Sequence, residues 1–74
     1  MRVIIVGASK VGFALAKHIC EEGYDLVVID QDQGSVDAIT DSFDCNGYVG
    51  NGSSPELLVK AGIDSATVLV AVTK

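Results

Sequence analysis

Residues 3–12 read VIIVGASKVG, and this stretch decides the fold. It opens with four β-branched residues in succession, which indicates a strand buried on both faces, as strands are in parallel sheets. The strand runs straight into a G-x-G-x-x-G pattern that has serine in place of the second glycine. Where such a loop joins a strand to a helix, the amides at the helix start can receive an anion. The stretch therefore predicts a phosphate-binding turn, with a purely structural turn as the alternative.

The loop residues have separate physical tasks. Gly7 permits a tight turn out of the strand, and Gly12 lets the helix pack closely against the sheet. Ser9 stands where the backbone approaches a pyrophosphate, so its side chain could shift the ligand or favour a mononucleotide. Its hydroxyl could also bond a phosphate oxygen. Lys10 would add positive charge beside the phosphates, unless it is simply a solvated residue.

Strand-like and helix-like segments alternate along the rest of the chain. We expect strands at residues 2–6, 25–29, 47–49 and 67–72, and helices at 10–22, 32–43 and 55–61. This β-α-β-α-β-α-β order predicts an α/β fold, the N-terminal half of a Rossmann-type parallel sheet with strand order 3-2-1-4. Asp32 is the expected N-cap of the second helix. For the third helix, the proline that follows favours Ser54 as N-cap. A capping box with Glu56 instead favours Ser53, so both remain open.

The length of the chain limits it to one domain. Its 74 residues are 49% apolar, and a domain of this size buries only about 60% of its unfolded surface. We expect a partial domain over residues 1–74, either truncated or one product of a split gene, because a doubly wound sheet continues with further strands. The fourth strand would then form an apolar sheet edge, which favours a dimer or a higher homo-oligomer.

Charge and composition exclude several classes of function. The net charge of −5 argues against binding to nucleic acid or to an anionic membrane surface, since both require a basic face. We expect no signal peptide, because only four apolar residues precede Gly7, and no apolar run approaches the roughly 20 residues of a membrane span. Cys20 and Cys45 match no zinc spacing and are expected to be reduced, with a disulfide or a redox role as the alternative. His18 has no second histidine to share a metal with, and no catalytic constellation can be argued, so we expect no enzyme activity.

Two further positions indicate a nucleotide. Asp30 ends the second strand, 18 residues after Gly12. A carboxylate there accepts hydrogen bonds from ribose hydroxyls and repels a 2′-phosphate, so it favours NAD, ATP, ADP or AMP over NADP. A solvated aspartate is the alternative. Residues 50–54 read GNGSS, and the Asn51 amide could offer a donor and an acceptor to an adenine ring. The alternative there is an ordinary loop with a helix cap.

These segments together resemble the TrkA N-terminal domain, also called the RCK or KTN domain, of bacterial potassium-transport regulators. The resemblance is carried by residues 3–12, 25–30, 50–53 and 66–73, and it covers the whole chain. It implies a cytoplasmic, non-enzymatic sensor, peripheral to the membrane, that binds NAD(H) or ATP/ADP. It also implies dimers or gating rings that control a membrane potassium channel or transporter.

The resemblance also implies roles for single residues. The matching positions are Gly7, Ser9, Lys10 and Val11 for the phosphates with Gly12 completing the loop, Asp30 and Gln31 for the ribose, Asn51, Gly52 and Ser53 for the adenine, and Thr73 for the cleft. Two residues depart from the family pattern, because Ser9 stands for a usual glycine and Asn51 for a usual aspartate. These departures leave the identity of the nucleotide open. Two other functions suit the same fold: the cofactor-binding portion of an NAD-dependent oxidoreductase, and an assembly module that has lost the nucleotide.

Overall fold

The computed structural model describes residues 1–64 and 67–72. Its elements are β1 (Arg2–Val6), α1 (Lys10–Glu21), β2 (Asp25–Asp30), α2 (Gln33–Ser42), β3 (Asn46–Val49), α3 (Pro55–Lys60) and β4 (Thr67–Ala71). The predicted order is confirmed, and each predicted end lies within one residue of the observed one. The small differences at the helix ends arise because Glu22, Phe43 and Ala61 are C-cap residues. None of the helices in these residues is long and apolar enough to cross a membrane.

The strands form one parallel sheet in the order β3-β2-β1-β4. This is the Rossmann-type arrangement that the sequence predicts. Val6 at the end of β1 is level with Ile29 of β2 and with Ala71 of β4. Because all the strands run in the same direction, the loops that follow them meet at one edge of the sheet, here called the carboxyl edge.

Two apolar clusters, one on each face of the sheet, form the core. The cluster beneath α1 and α2 contains Val3, Ile5, Ala16, Leu26, Val28, Val36 and Ile39. The cluster beneath α3 contains Ile4, Val27, Ile29 and Ala61, with Leu57 and Leu58 packed against it. Burial on both faces explains why β1 and β2 are apolar without alternation. Each fully buried isoleucine contributes about 1.5–3 kcal/mol, so this double core fixes the strand ends from which the loops leave.

The β4 strand departs from the burial that its apolar sequence predicts. Val68 is 42% exposed and Leu69 is 48% exposed. The physical reason is position, because β4 pairs with β1 and forms one edge of the sheet in the part of the chain that the structure describes. Its edge position agrees with the prediction from the sequence.

Side chains fix the starts of the second and third helices. The Asp32 carboxylate accepts hydrogen bonds from the Ser35 amide at 2.9 Å and the Ser35 hydroxyl at 2.7 Å. These bonds lower the pKa of Asp32 and confirm it as the N-cap of α2. At α3 the structure decides for Ser54, whose hydroxyl accepts a hydrogen bond from the Leu57 amide at 3.4 Å. Pro55 occupies the first turn, as the sequence favours.

Both cysteines are free thiols in the structure. Burial, together with the nearby Cys20 and Asp44, raises the pKa of Cys45 to about 11. Burial also raises the pKa of Cys20, and Asp44 adds to the effect. Since the thiolate is the reactive form of cysteine, both side chains are protonated and unreactive at neutral pH.

Candidate functional site

A cleft of about 360 Å³ opens at the carboxyl edge of the sheet. It is lined by Val6, Gly7, Ile29, Asp30, Gln31, Gly50, Asn51, Gly52 and Ser53. In open α/β sheets, ligands bind in the crevice at the carboxyl ends of the strands. The cleft therefore lies where the fold places a binding site, and it joins three loops that are far apart in sequence.

The first of these loops, which we call the glycine loop, covers residues 7–12. Gly7 has a φ of +112°, and a Cβ atom there would lie 2.9 Å from the carbonyl oxygen of Val72. A Cβ on Gly12 would collide with the carbonyl oxygen of Gly7. At Gly7 and at Gly12 the surrounding backbone is thus packed too tightly for any side chain. These are the packing tasks that the sequence assigns to the two glycines.

The first amides of α1 point out of the N-terminal end of the helix. Ser9 is the N-cap, and its side chain accepts no hydrogen bond from the first turn among the residues described. The first intrahelical bond runs from the Phe13 amide to the Ser9 carbonyl at 2.8 Å. The amides of Lys10, Val11 and Gly12 precede it and have no partner within the helix. Together with the helix dipole, they give this end of α1 a partial positive charge.

The side chains of Lys10 and Val11 are exposed. Neither they nor Ser9 and Gly12 are among the described residues that line the cleft. These four residues instead form the N-cap and first turn of α1, which follows the cleft-lining residue Gly7 in the chain. What they offer a ligand is backbone amides, and in the case of Lys10 also a flexible positive charge.

Asp30 is the one charged side chain among the described residues that line the cleft. One carboxylate oxygen accepts a hydrogen bond from the Ala8 amide at 2.7 Å, and the other accepts from the Asp32 amide at 2.8 Å. Its backbone carbonyl accepts from the Gly50 amide at 2.9 Å. The sequence places Asp30 at the site but does not reveal these bonds, because Ala8 and Gly50 approach it only when the sheet forms.

The loop between β3 and α3, here called the base loop, covers residues 50–54. The Asn51 side-chain oxygen accepts a hydrogen bond from the Ser53 amide at 2.9 Å. The Asn51 carbonyl accepts from the Ser54 amide at 3.0 Å. A Cβ on Gly52 would collide with the Val6 side chain, so this loop lies directly against the end of β1. The side-chain oxygen of Asn51 is therefore turned towards its own loop, and the NH₂ donor is free, together with the second lone pair of that oxygen.

Six predicted site residues are brought together by the cleft: Gly7, Asp30, Gln31, Asn51, Gly52 and Ser53. Thr73 lies outside the described residues. Sequence reasoning missed Val6 and Ile29, which also line the cleft, and it included Gly50 only as part of the segment 50–54. Val6 and Ile29 are the last apolar residues of their strands, a signal that could have identified them. No group of three or more metal-ligating side chains occurs in the described part of the chain.

Comparison with known proteins gives a consistent result. The family model of the TrkA-N domain matches residues 3–74. The Trk system potassium uptake protein TrkA of Azorhizobium caulinodans is 41% identical over 73 residues, which are 99% of this chain and 16% of that protein. The protein of the same name from Halomonas elongata is 38% identical over 99% of this chain and 16% of its own length. That of Streptomyces coelicolor is 34% identical over 99% of this chain and 33% of its own length.

The chain thus spans between a sixth and a third of the length of these relatives. The match to the family model extends over nearly all of the sequence. It confirms the resemblance that the glycine loop, the end of β2 and the base loop carry. The chain belongs to the TrkA-N domain family.

Proposed function

We propose that this chain is a nucleotide-sensing regulatory domain of a potassium uptake or channel system. It binds NAD(H) or ATP/ADP in the cleft at the carboxyl edge. The observation that carries the proposal is the convergence of the glycine loop, Asp30 and the base loop on one cleft. The cleft volume of about 360 Å³ is within the range of small-molecule sites.

The three parts of the cleft match the three parts of an adenine nucleotide. The phosphates lie at the start of α1, where Ser9, Lys10, Val11 and Gly12 supply amides and a positive side chain. The ribose lies at Asp30, beside Gln31. The base lies against residues 51–53. A carboxylate at the ribose disfavours a 2′-phosphate, so the site prefers NAD and ADP to NADP.

The regulatory part of the proposal rests on the relatives, which are named potassium uptake proteins of Trk systems. That relationship supports a cytoplasmic location and association with a membrane transporter subunit as parts of the proposal. A nucleotide can regulate such a partner only if it binds two states of the assembly with different affinity. We further propose that the chain forms homo-oligomers, since the apolar residues Val68 and Leu69 on β4 are about half exposed. The chemistry is binding without catalysis.

The substitution Ser9→Asp tests phosphate binding at the start of α1. Aspartate is a good N-cap and its charge suits the helix dipole, so the fold should be as stable as the wild type or more so. The same charge stands where the proposal places phosphates, so affinity for ADP and NAD should fall about tenfold or more. Calorimetric titration and a thermal melt of each variant measure the two effects.

Ser9→Asn is the matched control, because asparagine caps a helix equally well without adding charge. It should retain affinity within about threefold of the wild type. Failure of the wild-type chain to bind NAD, ADP and ATP would refute the proposed function. Unchanged affinity in Ser9→Asp would show that the phosphates do not lie at α1.

A further inference from the structure

Asp30 makes hydrogen bonds to every loop at the carboxyl edge that the cleft uses. Its carboxylate reaches the glycine loop through the Ala8 amide at 2.7 Å and the start of α2 through the Asp32 amide at 2.8 Å. Its carbonyl reaches the base loop through the Gly50 amide at 2.9 Å. No ribose is required for any of these bonds.

We propose that Asp30 is a positioning residue that holds the glycine loop in the shape that receives a diphosphate, in addition to meeting the ribose. The inference rests on the proposed function, since it concerns how the same cleft binds its nucleotide. It assigns to the carboxylate a role in phosphate binding, although the carboxylate and the phosphates carry charges of the same sign.

Ala8 connects the Asp30 carboxylate to the glycine loop. This residue is 7% exposed and lies between Gly7, with its φ of +112°, and the N-cap Ser9. A buried amide requires a partner, and a bond from an amide to a carboxylate is stronger than one between neutral groups. Fixing the Ala8 amide fixes the peptide that leads into α1. The direction of the amides of residues 10–12 follows from it.

The Asp30 carboxylate keeps unused lone pairs after it has accepted the two amide bonds. An ionised carboxylate has about four lone-pair directions, and the two amide bonds use one on each oxygen. One direction on each oxygen remains for a ribose hydroxyl. The positioning role and the ribose role are therefore compatible in the same bound state.

The positioning role and the ribose role predict opposite changes in affinity for a ligand without ribose when Asp30 is replaced by a neutral residue. If Asp30 only met the ribose, its neutralisation would remove a repulsive charge and leave inorganic diphosphate bound as well or better. If Asp30 positions the loop, the same change disorders the amides and weakens diphosphate binding. An alanine has no side-chain acceptor, so Asp30→Ala loses both amide bonds, whereas an asparagine could keep the bond from Ala8.

The affinities of inorganic diphosphate and of ADP for the wild type and for Asp30→Ala provide the test. We expect diphosphate to bind Asp30→Ala about fivefold more weakly, in the direction opposite to the Coulomb effect. Asp41→Ala, on the exposed face near the end of α2, makes the same change of net charge and should leave both affinities unchanged. Equal or tighter diphosphate binding to Asp30→Ala would overturn the proposal.

Amide hydrogen exchange followed by NMR tests the contact without any ligand or variant. The Ala8 amide should exchange slowly in the wild type, at a rate similar to that of the Gly7 amide, which bonds to the Ile29 carbonyl. In Asp30→Ala, exchange at Ala8 should accelerate while exchange at Gly7 is retained. Rapid exchange of the Ala8 amide in the wild type would overturn the proposal even if the variant did not fold. A wild type that binds no nucleotide would refute the proposed function, and the exchange at Ala8 would still decide the role of Asp30.

Discussion

Asn51 shows how a single residue of the cleft can be restricted by its own loop. Its side-chain oxygen accepts a hydrogen bond from the Ser53 amide at 2.9 Å. Only oxygen can accept from an amide, so this bond fixes which way the side chain is turned and leaves the NH₂ group free to donate. A base that meets this NH₂ group has to present an acceptor, whereas an aspartate at this position would itself be the acceptor.

The substitution Asn51→Asp tests this polarity. A carboxylate oxygen can still accept from the Ser53 amide, so the loop is retained while the free donor becomes an acceptor. Relative to the wild type, the variant should change its preference about fivefold towards ADP, with its 6-amino donor, and away from inosine diphosphate, with its 6-oxo acceptor. Competitive titration of the two nucleotides measures the ratio. Asn46→Asp, at the start of β3, adds the same charge at the opposite end of the strand and should leave the ratio unchanged. The same ratio in Asn51→Asp and the wild type would rule out a contact between Asn51 and the base edge.

At this scale the sequence predicts which residue types gather at the cleft but not how they bond. Gly7, Asp30 and Asn51 are recognisable because each follows a strand and each has a distinct physical property. The bond from Ala8 to Asp30 is not predictable from the sequence. It joins residues 22 positions apart and exists only because β1 and β2 pair with Val6 level with Ile29.

Among the elements, α3 shows what local sequence leaves undecided. Ser53 and Ser54 both precede the helix, and each has a residue that supports it as the cap. The base loop decides between them. A capping box on Ser53 would bond the Ser53 amide to the Glu56 side chain, but that amide is bonded to the Asn51 side chain instead. That bond leaves Ser54 to meet the Leu57 amide.

Ser54→Ala should therefore lower the free energy of unfolding by about 1 kcal/mol, since it removes the hydroxyl cap from α3. Ser53→Ala is the matched control and should change the stability by less than about 0.5 kcal/mol. Urea denaturation followed by circular dichroism measures both. A larger loss in Ser53→Ala than in Ser54→Ala would reverse the assignment of the cap.

The strands β1 and β2 are predictable because burial on both faces removes polar residues from them. The exposure of Val68 and Leu69 on β4 is not predictable in the same way. Their apolar character is that of a buried strand, and their exposure is explained by the edge position, which the strand order predicts and the observed pairing in the described sheet shows. Sequence pattern thus predicts that a strand forms, whereas its neighbours determine how much of it is covered.

In the molecule as a whole, the loops that form the cleft lie together because the paired strands all run in the same direction. Right-handed crossovers between parallel strands restrict the order to a few possibilities, and the observed β3-β2-β1-β4 order places three loops around the cleft. A second cavity of about 330 Å³ lies at the opposite edge of the sheet, lined by residues that include Arg2, Tyr24 and Asp44. Its size is similar, but it lacks a glycine loop and the start of a long helix. The proposed function therefore predicts that a nucleotide binds in the cleft at the carboxyl edge and not in the second cavity.

Chemical-shift mapping by NMR, with NAD, ADP and NADP titrated into the isotope-labelled chain, tests that claim most directly. The account predicts that NAD and ADP shift the amides of residues 7–12, 30–31 and 50–53, with NADP binding about tenfold more weakly because its 2′-phosphate meets Asp30. The second cavity provides an internal control, and the amides of Arg2, Tyr24 and Asp44 should not move. No shifts with any nucleotide, shifts confined to the second cavity, or tighter binding of NADP than of NAD would contradict the account.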